Sequence, residues 1–203
     1  MELRIARVIS YIFHPLLIPF YTFLILLNTN SYFSLMIPLK GKLLLSGVIL
    51  LTTVLLPFFT SLLLLRMKII HSFFPEIREE RIYLLLNIAI FYYLSYYLLK
   101  GTQVSMLFSY FMLGSTFLVI CASIITFFHR ISLHMIGTGG LTGALLGLSL
   151  GHSLDVTGFI VLVILLAGLT GSARLKINSQ QPSEIYSGFL LGIAVMFILF
   201  IMI

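Results

Sequence analysis

The sequence predicts an all-α integral membrane protein, a helical bundle of about six to seven transmembrane helices. Of its 203 residues, 60% are hydrophobic and only 9% are charged, against about 45–50% and about 25% in a typical soluble domain. The apolar residues form long runs, each close to the ~20 residues that a helix needs to cross a bilayer. We therefore expect one transmembrane domain over residues 1–203, located in a cell membrane, with the bacterial inner membrane as the expected one.

Charge and cysteine content exclude several other classes of protein. Twelve Lys and Arg against six Asp and Glu give a net charge of +6. These basic residues lie in short segments between apolar runs, and they neither cluster on one long helix nor interleave with exposed aromatic residues, which excludes a nucleic-acid partner. Cys121 is the single cysteine, so disulfides and cysteine-based metal sites are excluded. No pair of His or carboxylate residues has the spacing of metal ligands, and we expect no metal or other cofactor.

Two N-terminal spans are expected within residues 1–65. The first, at about 8–27, is interrupted by one histidine and two prolines: His14, Pro15 and Pro19. The second, at about 43–65, contains Pro57. Proline is tolerated in a membrane helix when neighbouring groups satisfy the freed carbonyl oxygen, so both runs are still predicted to be spans.

The rest of the chain, 66–203, is expected to form a core of five spans. A loop at 67–81 comes first and holds the densest charge in the chain. The spans follow at about 82–99, 106–128, 131–150, 154–171 and 185–203. On the fifth span of the whole chain, Gly139, Gly143 and Gly147 recur every four residues, which predicts close packing against another helix. That helix could belong to the same chain or to a second copy in a homo-oligomer.

Topology follows from counting crossings. If all seven spans cross, the N-terminus and the loops at 66–81, 129–130 and 174–181 lie on one face. That face carries nine of the twelve basic residues, and the positive-inside rule then makes it cytoplasmic. A phosphate-binding site on this face would also raise its number of basic residues, whichever side of the membrane it lies on.

A concentration of polar residues at span ends on this face predicts a functional site, because charge is costly at a membrane. The residues are Arg81, His134, Arg174, Lys176, Gln180 and Glu184. Arg81 and Arg174 could converge with His134 on one phosphate, which guanidinium groups bind bidentately. The alternatives are headgroup anchoring for any one of these residues and, for His134, a hydrogen bond to a neighbouring helix.

Two segments resemble motifs of the type 2 phosphatidic acid phosphatase superfamily. Ile131-Ser132-Leu133-His134 is similar to its Pro-Ser-Gly-His motif. In the third motif of that family, an Arg is followed six residues later by His and then by x-Pro-Ser-Asp. Here Arg174 is followed six residues later by Gln180 and then by Gln181-Pro182-Ser183-Glu184. The resemblance covers about 66–203 and implies a lipid-phosphatase-like helical fold.

The resemblance implies a covalent phosphatase mechanism with a substitution at its centre. In the family the third-motif His attacks phosphorus, an Asp orients that His, and the second-motif His protonates the leaving alkoxide. Gln180 stands at the nucleophile position, Glu184 replaces the orienting Asp, and His134 is the general acid if the protein is active. An amide cannot form the phosphorylated intermediate. The implied phosphate-binding residues are Arg78 and Arg81, which resemble the end of the first motif, with Ser132, Arg174 and Lys176.

These observations favour a membrane protein that binds a lipid phosphate or isoprenyl phosphate between its helices without the standard hydrolysis. One alternative is an active membrane phosphatase for phosphatidic acid or an isoprenyl (pyro)phosphate, with an altered site in which His134 is the candidate nucleophile. Another is a lipid transporter or a structural membrane subunit. The resemblance implies a site on the outer face, whereas the positive-inside count favours the cytoplasmic face.

Overall fold

The computed structural model of the chain describes residues 2–29, 32–73, 75, 77–102, 106–151, 154–177 and 180–202. Within these residues the secondary structure is helical, which confirms the predicted all-α class. The helices are α1 (Glu2–Ile12), α2 (Ile18–Asn28), α3 (Tyr32–Leu35), α4 (Leu39–Leu50), α5 (Leu56–Arg66), α6 (Arg78–Lys100), α7 (Met106–Phe128), α8 (Leu133–Gly151), α9 (Thr157–Lys176) and α10 (Pro182–Met202). A π-helical turn, Leu51–Leu55, joins α4 to α5.

In the described part of the chain, six helical stretches are long and apolar enough to cross a membrane. They are Leu39–Arg66, Arg78–Lys100, Met106–Phe128, Leu133–Gly151, Thr157–Lys176 and Pro182–Met202. These correspond to the second to seventh predicted spans, with ends that differ by a few residues. The chain is thus a multi-pass helical membrane protein.

The predicted first span is not one helix. α1 ends at Ile12, α2 begins at Ile18, and the residues between them form turns. Pro15 disfavours a helical conformation at the preceding residue, His14, and cannot donate a backbone hydrogen bond itself. Both α1 and α2 have 11 residues, which gives each about 16 Å of rise, less than the ~30 Å of a hydrocarbon core. The prediction of a continuous span at 8–27 is therefore wrong.

The contacts group the chain into two compact units. The first unit contains Met1–Pro19 and Ile131–Ile203, and the second contains Phe20–Arg130. The structure therefore associates the first 19 residues with the C-terminal third of the chain, which holds Ser132, His134, Arg174, Gln180 and Glu184. The sequence-based grouping within one domain, two spans in 1–65 and a core in 66–203, stays a prediction.

Polar side chains connect the helices of the second unit. Ser95 Oγ donates to Thr52 Oγ1 at 2.7 Å. Asn87 Nδ2 donates to the Pro57 carbonyl oxygen at 3.2 Å and to Ser61 Oγ at 3.1 Å. Interhelical hydrogen bonds of this kind hold membrane helices together where lipid provides no hydrophobic driving force.

In the first unit, α8 is the most buried of the spanning helices and lies very close to α10. A Cβ atom at Gly143 would lie 2.5 Å from the Ile193 carbonyl oxygen, and one at Gly139 would collide with the backbone of Phe189. Gly192 on α10 faces the backbone of α8 in the same way. The predicted close approach is confirmed, and its partner is α10 of the same chain. Since α10 covers this face, a homo-oligomer would need another surface.

Candidate functional site

Ser132 and Glu184, which belong to the two segments singled out in the sequence, meet at one end of the first unit, where α8 and α10 begin. The Ser132 N–H donates to the Glu184 carbonyl oxygen at 3.0 Å. A Cβ atom at Gly188 would lie 2.7 Å from the Ser132 carbonyl oxygen, so the two backbones are nearly in contact. α9 continues to Lys176. Arg174, which the sequence analysis placed in a loop after the sixth span, therefore lies in the last helical turn.

Gln180 is the hydrogen-bond acceptor at the centre of this group. Its Oε1 accepts from Ser132 Oγ at 2.6 Å and from Arg174 Nε at 3.3 Å. A guanidinium group can only donate, so the oxygen of the amide rather than its nitrogen must face Arg174. Ser132 is buried, and the other two side chains are half-buried. A serine and an arginine thus converge on one oxygen atom that belongs to the protein.

His134 is buried, and its Nε2 lies 3.2 Å from the Ser10 carbonyl oxygen. Ser10 is near the C-terminal end of α1, where carbonyl groups lack partners within the helix. Because a carbonyl can only accept, Nε2 carries the proton and donates it. The alternative foreseen for His134, a bond to a neighbouring helix, is what the structure shows. This proton is therefore engaged by the backbone of α1.

His14 is one of two residues of this region that sequence reasoning missed. Its ring packs edge-on against the ring of His134, with centroids 6.0 Å apart and an interplanar angle of 72°. Its Nδ1 accepts from the Leu16 N–H at 3.3 Å, so Nε2 carries the proton of the neutral ring. His14 lies between α1 and α2, outside the six spans. Burial lowers the pKa of His14, and the charge of Arg174 lowers it further, which favours the neutral form.

The sequence carries one unusual feature at His14, a histidine directly before a proline inside an apolar run. This feature predicts only an interruption of a span. Nothing in the sequence indicates that this histidine packs against His134, because 120 residues separate the two.

Ser10 adds a buried hydroxyl group beside the bond to His134. The residue is 8% exposed, and its Oγ has no hydrogen-bond partner among the described residues. Buried polar atoms in proteins nearly always have a partner. The contacts of the described residues therefore leave the Ser10 hydroxyl unsatisfied.

Glu184 and Lys176 occupy different environments. Glu184 is buried, and its carboxylate interacts electrostatically with Arg174, so it balances part of the guanidinium charge. The resemblance instead assigned Glu184 to orienting a nucleophile. Lys176 is exposed in the last turn of α9, two residues beyond Arg174.

Arg78 and Arg81 belong to the second unit, in the first turn of α6. Arg78 Nη1 donates to the Phe127 carbonyl oxygen at the end of α7, at 3.1 Å. The neighbouring Glu80 is buried and accepts from the backbone N–H of His71 at 2.9 Å, with its other oxygen 2.7 Å from His71 Nδ1. Arg78 and Glu80 therefore connect the start of α6 to the end of α7 and to the loop before α6, all within the second unit. The convergence of Arg78 and Arg81 with the residues of the first unit stays a prediction.

The first unit brings five predicted site residues into one region and adds two that were not predicted. The predicted ones are Ser132, His134, Arg174, Gln180 and Glu184, and the added ones are Ser10 and His14. This set is rich in hydroxyl, imidazole and guanidinium donors, which suit an anionic ligand. Within the described ranges, no group of three or more His, Cys, Asp or Glu side chains could hold a metal ion.

Comparisons with protein-family models, with curated proteins and with solved structures find no match to this chain. The resemblance to the type 2 phosphatidic acid phosphatases therefore rests on the motif residues of the sequence.

Proposed function

We propose that this protein has a lipid-phosphatase-like core that binds a lipid phosphate or an isoprenyl phosphate without the standard hydrolysis. The observation that carries the proposal is the convergence of Ser132 Oγ and Arg174 Nε on Gln180 Oε1. A phosphoryl group presents oxygen atoms to the same donors, and its oxygens are charged whereas the amide oxygen is neutral. Charge-assisted hydrogen bonds are about twice as strong as neutral ones, so we expect a phosphoryl oxygen to displace the Gln180 amide.

Arg174 has the properties of an anion-binding residue. Its guanidinium has five N–H donors in a planar fork, more than one amide oxygen can accept. It is half-buried, so solvent and salt screen its charge less than that of a surface arginine. The nearby Glu184 carboxylate lowers the cost of keeping this cation at the end of a membrane helix.

The hydrocarbon part of such a ligand also has a surface to lie on. α9 and α10 carry the site at one end and expose large apolar side chains along their length, including Val161, Leu165, Leu169, Leu190 and Ile198. In a bilayer these side chains face acyl chains. A phosphate held at the helix ends would leave its hydrocarbon chain beside them, which favours a lipid-linked phosphate over a water-soluble one.

Two features favour binding over hydrolysis. The Gln180 amide has no lone pair of useful basicity, so it cannot attack phosphorus. The proton on His134 Nε2 is donated to the Ser10 carbonyl oxygen rather than held for a leaving alkoxide. The first feature prevents attack on phosphorus, and the second leaves the leaving alkoxide without its acid. The anion-binding donors of Ser132 and Arg174 are unaffected by either.

The test of binding is a titration of the purified full-length protein, in detergent, with phosphatidic acid and with farnesyl phosphate. Arg174→Gln should weaken the affinity by about tenfold or more, since a hydrogen bond to a charged group contributes about 1.5–3 kcal/mol. Lys40→Gln is the matched control, because it removes the same charge from an exposed residue of α4. Equal affinities for the wild type and Arg174→Gln would contradict the proposal.

The competing function is an active phosphatase, and the observation that favours it is the second imidazole, His14, beside His134. Phosphate release from the same two lipids decides between the functions. We expect no release by the wild type and a gain of release in Gln180→His. Release by the wild type that is lost in His14→Ala or His134→Ala would replace the binding proposal with an active enzyme.

A further inference from the structure

Resting on the proposed function, we propose that the N-terminal segment is part of the ligand site. In this inference His14 donates its Nε2–H, and Ser10 its hydroxyl, to oxygens of the bound phosphate monoester. The sequence analysis predicts this segment only as part of a first membrane span. The structure places it against α9 and against His134 on α8.

The position of His14 supports this role. Its ring lies against His134, with centroids 6.0 Å apart, and it is close enough to Arg174 to interact with its charge. Arg174 in turn reaches Gln180 and shares that acceptor with Ser132. His14 is therefore connected, through one arginine, to the oxygen atom that a phosphate is expected to replace. A ligand bound to Arg174 would have an imidazole next to it.

The hydrogen bonding of His14 determines what the imidazole can do. Its Nδ1 is occupied as an acceptor by the Leu16 N–H at 3.3 Å, so the neutral ring holds its proton on Nε2. In this tautomer Nε2 is a donor without an available lone pair. His14 can therefore stabilise a phosphoryl oxygen, but it is not set up to attack phosphorus. A neutral donor also adds no charge that would repel Arg174 when the site is empty.

Ser10 provides an independent observation that points to a ligand. Its hydroxyl oxygen is buried without a hydrogen-bond partner in the described chain, while its own carbonyl oxygen accepts from His134. Ser10 lies four residues before His14 along the chain, and α1 ends between them. One ligand oxygen beside these residues would give the Ser10 hydroxyl the partner that it lacks.

The N-terminal segment has a shape that suits this role. Ala6 and Ser10 are one turn apart on α1, and both are buried, so this face of α1 is the packed one. The helix then ends at Ile12, and the turns before α2 bring His14 to the ring of His134. Pro15 keeps the helix from continuing through this position.

The test uses the purified full-length protein in detergent, titrated with dodecyl phosphate as the probe. His14→Phe keeps a flat ring against His134 but removes the donor, and we expect it to weaken binding by about tenfold. His14→Gln keeps an N–H donor at a similar distance from the backbone and should bind within about threefold of the wild type. Ser10→Ala should weaken binding by several-fold.

Two further measurements made in parallel separate the outcomes: the thermal midpoints of all variants, and the affinity of Arg174→Gln for dodecyl phosphate. If Arg174→Gln loses binding while His14→Phe and Ser10→Ala bind like the wild type, the inference fails and the proposed function stands. If the wild type does not bind dodecyl phosphate, both fail. If His14→Phe and His14→Gln lose binding equally and lower the thermal midpoint equally, His14 has only a structural role and the inference is overturned.

A spectroscopic readout keeps the inference testable in the wild type, even if the ring variants are unstable. The inference requires that dodecyl phosphate shifts the ¹⁵N and ¹H resonances of His14 Nε2–H, and that Arg174→Gln abolishes this shift. An unchanged His14 signal at saturating ligand overturns it.

Discussion

Replacing Gly143 by alanine should force α8 and α10 apart. The new Cβ atom would lie 2.5 Å from the Ile193 carbonyl oxygen and 2.8 Å from the Ile193 Cα. Both are backbone atoms, so no side-chain rotation can relieve the contact. Since ordinary contact begins near 3.4 Å, the helices must separate by about 0.9 Å at this point.

The expected cost is that of overpacking a close contact, about 1–3 kcal/mol. Alanine also has a better helix propensity than glycine by up to about 1 kcal/mol, which partly hides this cost. Gly168→Ala on α9 separates the two effects, because Gly168 has nothing within 4 Å and gains only the propensity. The difference between the two variants is therefore the packing cost.

The assay is the thermal midpoint of unfolding of both variants in the same detergent. With roughly 2–4 °C per kcal/mol for a chain of this size, Gly143→Ala should unfold about 2–12 °C below Gly168→Ala. Equal midpoints would refute the reasoning, because they would mean that α8 and α10 are not in backbone contact at Gly143.

Three further changes test other parts of the structure. Asn87→Leu removes the hydrogen bonds to Ser61 Oγ and to the Pro57 carbonyl oxygen. At about 0.6 kcal/mol per bond in a membrane protein, the thermal midpoint should fall by roughly 2–5 °C. Because the pKa of His14 is lowered from 6.5, the unfolded chain takes up more protons below that pH. The free energy of unfolding should therefore fall as the pH falls below about 6.5, and less so in His14→Phe, as measured by denaturation between about pH 5 and 8. Gly188→Ala would press on the Ser132 carbonyl oxygen, and titration with dodecyl phosphate should show several-fold weaker binding.

Most of the fold could be predicted because a membrane helix leaves a strong local signal. An apolar run of about 20 residues has few other structures available to it, and the predicted span at 106–128 coincides with α7. The glycine spacing on α8 is also a local signal, because glycines every four residues on one helix face allow close packing against another helix. Local signals failed at Pro15, where one apolar run contains two short helices, and at Arg174, where the helix continues through polar residues to its last turn.

The candidate site could be predicted only in part. Ser132 and Gln180 stand in segments that resemble known motifs, and the structure brings them into hydrogen-bond contact. Ser10 and His14 stand in no motif, and their relation to the site depends on how α1 packs against α9. Contacts between residues so far apart in sequence are set by tertiary packing, which no pattern within a single segment reveals.

The hydrogen bonds of Gln180 also have a consequence for selectivity. Ser132 Oγ and Arg174 Nε already donate to a neutral oxygen atom within the protein, so at these two donors a ligand exchanges one acceptor for another. A neutral headgroup, such as that of a diacylglycerol or an isoprenyl alcohol, would gain little from this exchange, whereas a phosphate monoester brings charge that the amide lacks. Gln180 would thus compete with the ligand for these two donors, and at this position the protein would discriminate a phosphorylated lipid from the corresponding alcohol by charge.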